Sequence, residues 1–282
     1  MSLTINTNLS SLIVQKNLNA ATTGLNSAIE RMSTGYKINH AKDNAAGYSI
    51  AANWKTLLGS IDVASENASM GADMLKTTEE NYSLITEHLQ RVRDLTEQAA
   101  NGTYGSGSLK AIASEMTARL SEIDRIAKNA EFNGIKLMDG AGNAVTLQVG
   151  LDNDATKSQI ILTAELFAAA DVNKLLGSDI ATFVQDAAKT SSAASKLEDI
   201  DKAITKISDR VTLIGAAQNR VDSAISSLSV QSENLTSSLS TLRDADVAEE
   251  SSNYIKSQIL QQASATLLAT ANQLPSIALN LI

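Results

Sequence analysis

The chain has 282 residues, 23 basic and 31 acidic for a formal net charge of −8, with no cysteine and one proline. No disulfide framework, cysteine nucleophile or thiolate-bound metal is possible, and with only His40 and His88 a multi-histidine metal site is excluded. The acidic balance argues against general nucleic-acid binding, and the scarcity of proline suits long unbroken helices.

Taken in chain order, Val14, Leu18, Ala21, Leu25, Ala28 and Met32 recur at 4,3 spacing, which predicts a helix with one apolar seam. The opening residues lack the basic and apolar regions of a secretory signal peptide, and no apolar run is long enough to span a membrane. Asp43 and Asn44 read as turn or cap residues before the next helix. That helix carries the run Ile50, Trp54, Leu57, Ile61, Ala64, Ala68, Gly71, Leu75, Thr78, Tyr82, Ile85, Leu89, Val92, Thr96 and Ala99. Its small residues around Gly71 are expected to admit another helix. The breaker NGTYGSGS (101–108) separates it from a shorter helix with Leu109, Ile112, Met116, Ile123, Ala127 and Ala130 inward.

Residues 139–190 leave the helical pattern. Val145, Leu147 and Val149 alternate with polar residues, as do Ile160, Leu162, Ala164 and Leu166, which predicts a small β-hairpin followed by a mixed connector. The longest seam follows: Leu197, Ile200, Ile204, Ile207, Val211, Ile214, Gln218, Val221, Ile225, Leu228, Ser232, Leu235, Leu239 and Leu242. Gln218 and Ser232 interrupt it, and a polar seam residue can fix register. A final seam runs through Leu260, Leu267, Ala271, Leu274, Ala278 and Leu281, interrupted by Pro275. The expected architecture is mainly α: a long antiparallel helical bundle with paired, coiled-coil-like terminal helices and a small β-hairpin region. The expected divisions are an inner domain from 1–44 and 244–282, a bundle from 45–138 and 191–243, and a hairpin region at 139–190.

Residues 1–29 and 251–282 contain one charge each, Lys16 and Lys256. Soluble monomers put charge on helix faces to prevent association, so these bare ends predict self-assembly. The candidate assembly residues are Leu9, Leu18, Leu25, Ile259, Leu267, Leu274 and Leu281. Asp199, Asp201 and Asp209 read as a solvated face. No glycine-rich phosphate loop, nucleophile–base set or metal-ligand spacing is present, so neither an enzyme nor a cofactor is expected.

Several motifs carry a resemblance. INTNLSSLIVQKNLN (5–19), AIERMSTGYKINHAKDNAAG (28–47), LQRVRDLTEQAANGT (89–103), EIDRIAKNAEFNGIKLMDG (122–140), GAAQNRVDSAISSL (215–228) and QILQQASATLLATANQLPSIALNLI (258–282) occur in the order expected of bacterial flagellin. The chain resembles that family over both ends and most of the middle. The resemblance implies a filament subunit whose paired terminal helices form an inner tube and whose bundle forms the next shell. It further implies export unfolded through the flagellar type III apparatus, a chaperone on the C-terminal segment, and cap and hook-junction proteins as partners, with no nucleic acid or membrane. A hook–filament junction protein and a cytoplasmic coiled-coil scaffold are the alternatives. Only 139–190 separates the two halves, so no outer domains are expected. In flagellins recognised by the vertebrate Toll-like receptor 5, an Arg, a Leu and a Glu form the contact centre, and here they correspond to Arg91, Leu95 and Glu115. Asp94 and Thr96–Glu97 depart from the usual surrounding motif.

Overall fold

Helix α2 (Ala45–Ala100) runs for 56 residues because apolar side chains return to one side every three or four positions. The structure is a computed structural model that describes residues 8–140, 144–152 and 154–279. Its other long helices are α1 (Leu9–Thr34), α3 (Ser106–Asn129), α7 (Ala193–Arg243) and α8 (Val247–Leu279). Among the described residues the chain divides into two compact units, Gly59–Ser232 and Met1–Leu58 with Glu233–Ile282; α2 and α7 contribute to both.

In the Gly59–Ser232 unit, the seams of α2, α3 and α7 form the core. Ile61, Ala64, Ala68, Gly71, Leu75, Thr78, Tyr82, Ile85, Leu89, Val92, Thr96 and Ala99 of α2 are all buried. Burial of each large apolar side chain there contributes roughly 1.5–3 kcal/mol. The two seam threonines are satisfied locally: Thr78 Oγ1 donates to the Met74 carbonyl and Thr96 Oγ1 to that of Val92, both at 2.8 Å. On α7 the buried positions are Ile200, Ile207, Ile214, Val221 and Leu228, with Leu197, Ile204, Val211 and Ile225 half-buried between them. Gln218 breaks this stripe without becoming an orphan, since its Nε2 donates to Glu79 Oε2 across to α2 at 2.8 Å. On α3, Leu120 and Ile126 join the predicted core residues.

The 139–190 stretch holds the expected hairpin. Strands β3 (Val145–Gln148) and β4 (Gln159–Leu162) pair antiparallel, with Val145 opposite Leu162 and Leu147 opposite Ile160. The single helical turn α4 (Ala155–Ser158) lies between them. Ala164 and Leu166, expected to extend the strand, instead lie in a 3₁₀ turn (Ala164–Phe167) that buries Leu166 and Phe167 together. Helices α5 (Val172–Leu176) and α6 (Ile180–Ala187) then lie on α3, adding Leu175, Phe183 and Val184 to the core. Asp124 Oδ1 on α3 accepts from the Val172 N–H at 2.8 Å, and Asp179 caps α6 through the Thr182 N–H at 2.9 Å. A second hairpin, β1 (Glu131–Phe132) with β2 (Ile135–Lys136), turns on Asn133 and Gly134, both at positive φ. Those two angles are what a two-residue hairpin loop demands. The partner admitted by Gly71 is Leu147 of β3 rather than a helix, and a Cβ at Gly71 would overlap its Cδ1.

Further along α2, Tyr82 ties this layer to the bundle. Its hydroxyl reaches the carbonyls of Leu166 (3.1 Å) and Ala168 (3.3 Å). Arg210 of α7 donates to the Ala168 and Ala169 carbonyls and lies 5.8 Å from the Tyr82 ring centroid. Burial pushes the Tyr82 phenol pKa up, so the hydroxyl keeps its proton at neutral pH. Tyr82→Phe should cost about 1 kcal/mol in urea denaturation; an unchanged midpoint would show that the tie contributes nothing.

Candidate functional site

The first candidate surface is the terminal helix pair, in the unit Met1–Leu58 with Glu233–Ile282. Asn8 caps α1 by accepting from the Ser11 N–H, and its Nδ2 donates to the Ala271 carbonyl of α8 at 2.7 Å. Gln261 Nε2 donates to Thr22 Oγ1, and Arg31 pairs with the buried Glu250 at 2.9 Å. These three contacts set α1 and α8 antiparallel. The seam between them is built from Ala21, Ala28, Ser264 and Ala271, with Gly24 close to Ser257.

Small and polar residues fill the inner face, so the large apolar ones point away. Leu9 is 63% exposed, Ile259 59% and Leu267 56%, with Leu12, Ile13 and Ile255 exposed alongside. Leu18 and Leu25 behave differently: they flank the intrachain seam, half-buried. Leu281 and the Leu274 side chain lie outside the described residues. Two seam expectations need correction. Leu260 and Leu267 were expected beside Ala271, but only Ala271 turns inward. On α2, Ile50 and Leu57 are exposed while Ala51 is buried, a one-residue rotation of the expected stripe. Helix α8 continues past Pro275 to Leu279.

A clasp joins the two chain segments that flank this pair. Gly35 ends α1 at φ 75°, a conformation that favours glycine. The Lys37 N–H then donates to the Arg243 carbonyl and the Ala245 N–H to the Gly35 carbonyl. The Arg243 guanidinium stacks 4.1 Å from the Tyr36 ring centroid. Asp43 Oδ2 accepts from the His40 and Asn39 N–H groups, and Asn44 Oδ1 accepts from the Gly47 N–H at the start of α2. Both residues are therefore the turn and cap groups expected. The His40 N–H bond, chiefly, holds the Asp43 carboxyl below its usual pKa.

The second candidate surface lies on α2 and α3 of the other unit. The turn between the two helices brings Arg91 Nε to 2.9 Å from Glu115 Oε1, and Arg119 lies 3.8 Å from the same oxygen. The pair is partly exposed, so it can face a partner. Leu95 cannot do so directly: it is 1% exposed, in the core beneath the pair. Its spacing from Arg91 fits a shared helix face, but four residues further along that face has rolled into the seam. Asp201, read as solvated, is ion-paired at 2.7 Å with Arg93 of α2, and Asp199 is 3.2 Å from Lys196. The Arg93–Asp201 pair crosses between helices, has no signature in local spacing and was missed, whereas Lys196 and Asp199 stand three residues apart on α7. The hairpin at Asn133–Gly134 was also missed, although that dipeptide is a strong turn signal.

The bacterial flagellin N-terminal helical region matches residues 5–143, and the bacterial flagellin C-terminal helical region matches residues 197–282. A flagellin of Listeria monocytogenes is 32% identical, covering 99% of each chain. A flagellin of Xenorhabdus nematophila is 36% identical over 100% of each. In fold, a flagellar hook-associated protein of Vibrio parahaemolyticus is similar at a TM-score of 0.61, with 13% identity, covering 72% of this chain and 100% of that one.

Glu115 has its pKa lowered below the ordinary 4.5, chiefly by the Arg91 hydrogen bond, which outweighs the opposing desolvation, with smaller help from the charges of Arg91 and Arg119. A carboxylate with a depressed folded-state pKa adds stability above its unfolded pKa and loses it as the pH falls through the folded one. The pair should therefore hold at pH values above 4.5 and open only below it. In an NMR titration, Arg91→Ala should move the Glu115 midpoint upward toward the ordinary value; an unmoved midpoint would mean the pair does not form in solution.

Proposed function

The chain belongs to the bacterial flagellin family, whose members are structural subunits of the flagellar filament and not enzymes, and on that footing we propose that its terminal helix pair drives assembly through its outward apolar side chains. The observation that carries this reading is the placement of Leu9, Ile259 and Leu267 on the outside of a nearly uncharged helix pair. Exposed apolar area of this kind on a soluble chain marks an association surface. Copies packed side by side would cover it, with Leu18 and Leu25 holding the pair together from within.

The same face suits the rest of the reading. The subunit leaves the cell unfolded through the flagellar type III apparatus and joins a secreted, extracellular flagellum. An export chaperone covers the apolar C-terminal segment beforehand. Cap and hook-junction proteins meet the chain at the two ends of the filament. Among the described residues, no helix is long and apolar enough to cross a membrane. A hook–filament junction role is the second reading; the full-length identity to flagellins favours the filament. As a further part of the proposal, Toll-like receptor 5 of a host recognises the α2–α3 face through Arg91 and Glu115, with Leu95 setting the helix spacing from below.

Leu267→Asp or Ile259→Asp should abolish seeded polymerisation, read by sedimentation and electron microscopy, while thermal unfolding of the Gly59–Ser232 unit stays unchanged. Filaments formed at the wild-type concentration would defeat the assembly reading. In a cell reporter assay, Arg91→Ala and Glu115→Ala should each reduce receptor signalling at least about tenfold, as expected of a central contact; undiminished signalling would remove the receptor assignment.

A further inference from the structure

The loop between α2 and α3 opens with Asn101–Gly102, and both residues are exposed. A side-chain amide followed by glycine is open to attack by the next backbone nitrogen, because glycine has no Cβ to obstruct the approach. Here the space is clear: a Cβ at Gly102 would meet nothing within 4 Å. The Gly102 N–H makes no hydrogen bond among the described residues, so its nitrogen is not held elsewhere. The Thr103 N–H donates to Asn101 Oδ1 at 3.3 Å. That bond folds the carboxamide back along the Asn101–Gly102 peptide, and it sets a donor on the oxygen where negative charge develops under attack.

The only other Asn–Gly pair in the sequence, Asn133–Gly134, is exposed as well. It forms the two-residue loop of the β1–β2 hairpin, with Asn133 at φ 48° and Gly134 at φ 82° between the paired residues Phe132 and Ile135. No donor reaches Asn133 Oδ1 among the described residues. Bringing the Gly134 nitrogen onto the Asn133 carboxamide would require the hairpin to open. Asn101 lies outside any strand pairing and is not at positive φ. Two dipeptides of identical sequence and similar exposure are therefore held by the fold in unlike states.

We propose that Asn101 is a self-modifying site, at which the Gly102 nitrogen attacks Asn101 Cγ in the folded chain and leads to aspartate or isoaspartate. In the first step the bond between the Gly102 nitrogen and Cγ forms. The Gly102 amide proton passes through water to the departing Nδ2, and the Cγ–Nδ2 bond breaks with loss of ammonia, leaving a succinimide. In the second step water adds to one of the two ring carbonyls. Cleavage of the new bond at Cγ gives aspartate, and cleavage of the original peptide bond at the Asn101 carbonyl carbon gives isoaspartate. The sum exchanges an amide and water for a carboxylic acid and ammonia, with no change of oxidation state. The new carboxylate stands just past the end of α2, whose last turn holds no basic residue, so it meets the negative end of the helix dipole without compensation. Isoaspartate also adds a methylene to the main chain of the turn that leads α2 into α3. The site asks only for the folded chain and stands apart from the filament reading.

The test holds the full chain at mildly alkaline pH in heavy-oxygen water and follows residues 101 and 133 by peptide mass spectrometry over time. Residue 101 should become a mixture of aspartate and isoaspartate carrying heavy oxygen, about tenfold faster than residue 133; this is less than a preorganised oxyanion donor contributes in an enzyme, because the Thr103 donor is long and exposed. In denaturing urea the two residues should convert at equal rates. Gly102→Ala and Thr103→Pro, which removes the N–H, should each bring residue 101 down to the rate of residue 133, with thermal unfolding of the Gly59–Ser232 unit unchanged. Equal rates in the folded chain, or a residue 101 that keeps its amide while residue 133 loses it, overturn the proposal. Aspartate without isoaspartate would mean direct hydrolysis by water and would overturn the attack by Gly102. An undiminished rate in Thr103→Pro would remove the role of the Thr103 N–H.

Discussion

A long helix with an apolar stripe has to have that stripe covered, and the two units of this chain meet the requirement in opposite ways. In the Gly59–Ser232 unit the stripes of α2, α3 and α7 cover one another, and the alternating 3,4 positions of each are buried together. Short helices and hairpins close the remaining side, so that Leu162, Phe167 and Phe183 complete a core the three long helices could not finish alone. Several polar groups of this layer are met by named partners: Tyr82 and Arg210 take the carbonyls of Leu166, Ala168 and Ala169, and Asp124 takes the first N–H of α5.

The terminal pair does the reverse. Its inner face is built from alanine, serine and glycine, which let two backbones approach but remove little apolar area from water. Polar contacts such as Asn8 with Ala271 and Gln261 with Thr22 set the register. The ion pair of Arg31 with buried Glu250 stands at the end next to the clasp of Tyr36 and Arg243. The leucines and isoleucines that would stabilise an isolated pair are turned outward. A helix pair arranged in this way gains most when other copies bury its outer face, which is the physical sense of a subunit that is incomplete by itself.

Most of the fold was legible because a 3,4 repeat of apolar residues has one structural solution over fifty residues. The α2 seam from Ile61 to Ala99 and the α7 seam from Ile200 to Leu228 appear where periodicity put them. Periodicity failed where apolar residues occupy more than one face. On α8 the large residues occur nearly all round, so spacing could not say whether Leu267 or Ser264 faces α1; packing against small residues selected Ser264. On α2 before Ile61 the stripe rotates by one position, from Ile50 to Ala51. The connector was illegible for another reason: α5 and α6 are too short to show a period, and α3, against which they pack, is distant in sequence.

The candidate surfaces divide along the same line. The bare charge of both ends and the cap at Asn44 could be inferred from residues alone, because each depends on composition or on neighbours close along the chain. That Leu95 sinks beneath the pair while Arg91 stays partly exposed depends on how α2 rotates against α3 and α7, which local spacing does not encode. Sequence determined the helices, their seams and their need for partners, since those follow from periodicity and charge. Tertiary structure decided which apolar residues remain for a partner to cover, since that follows from how helices rotate to pack.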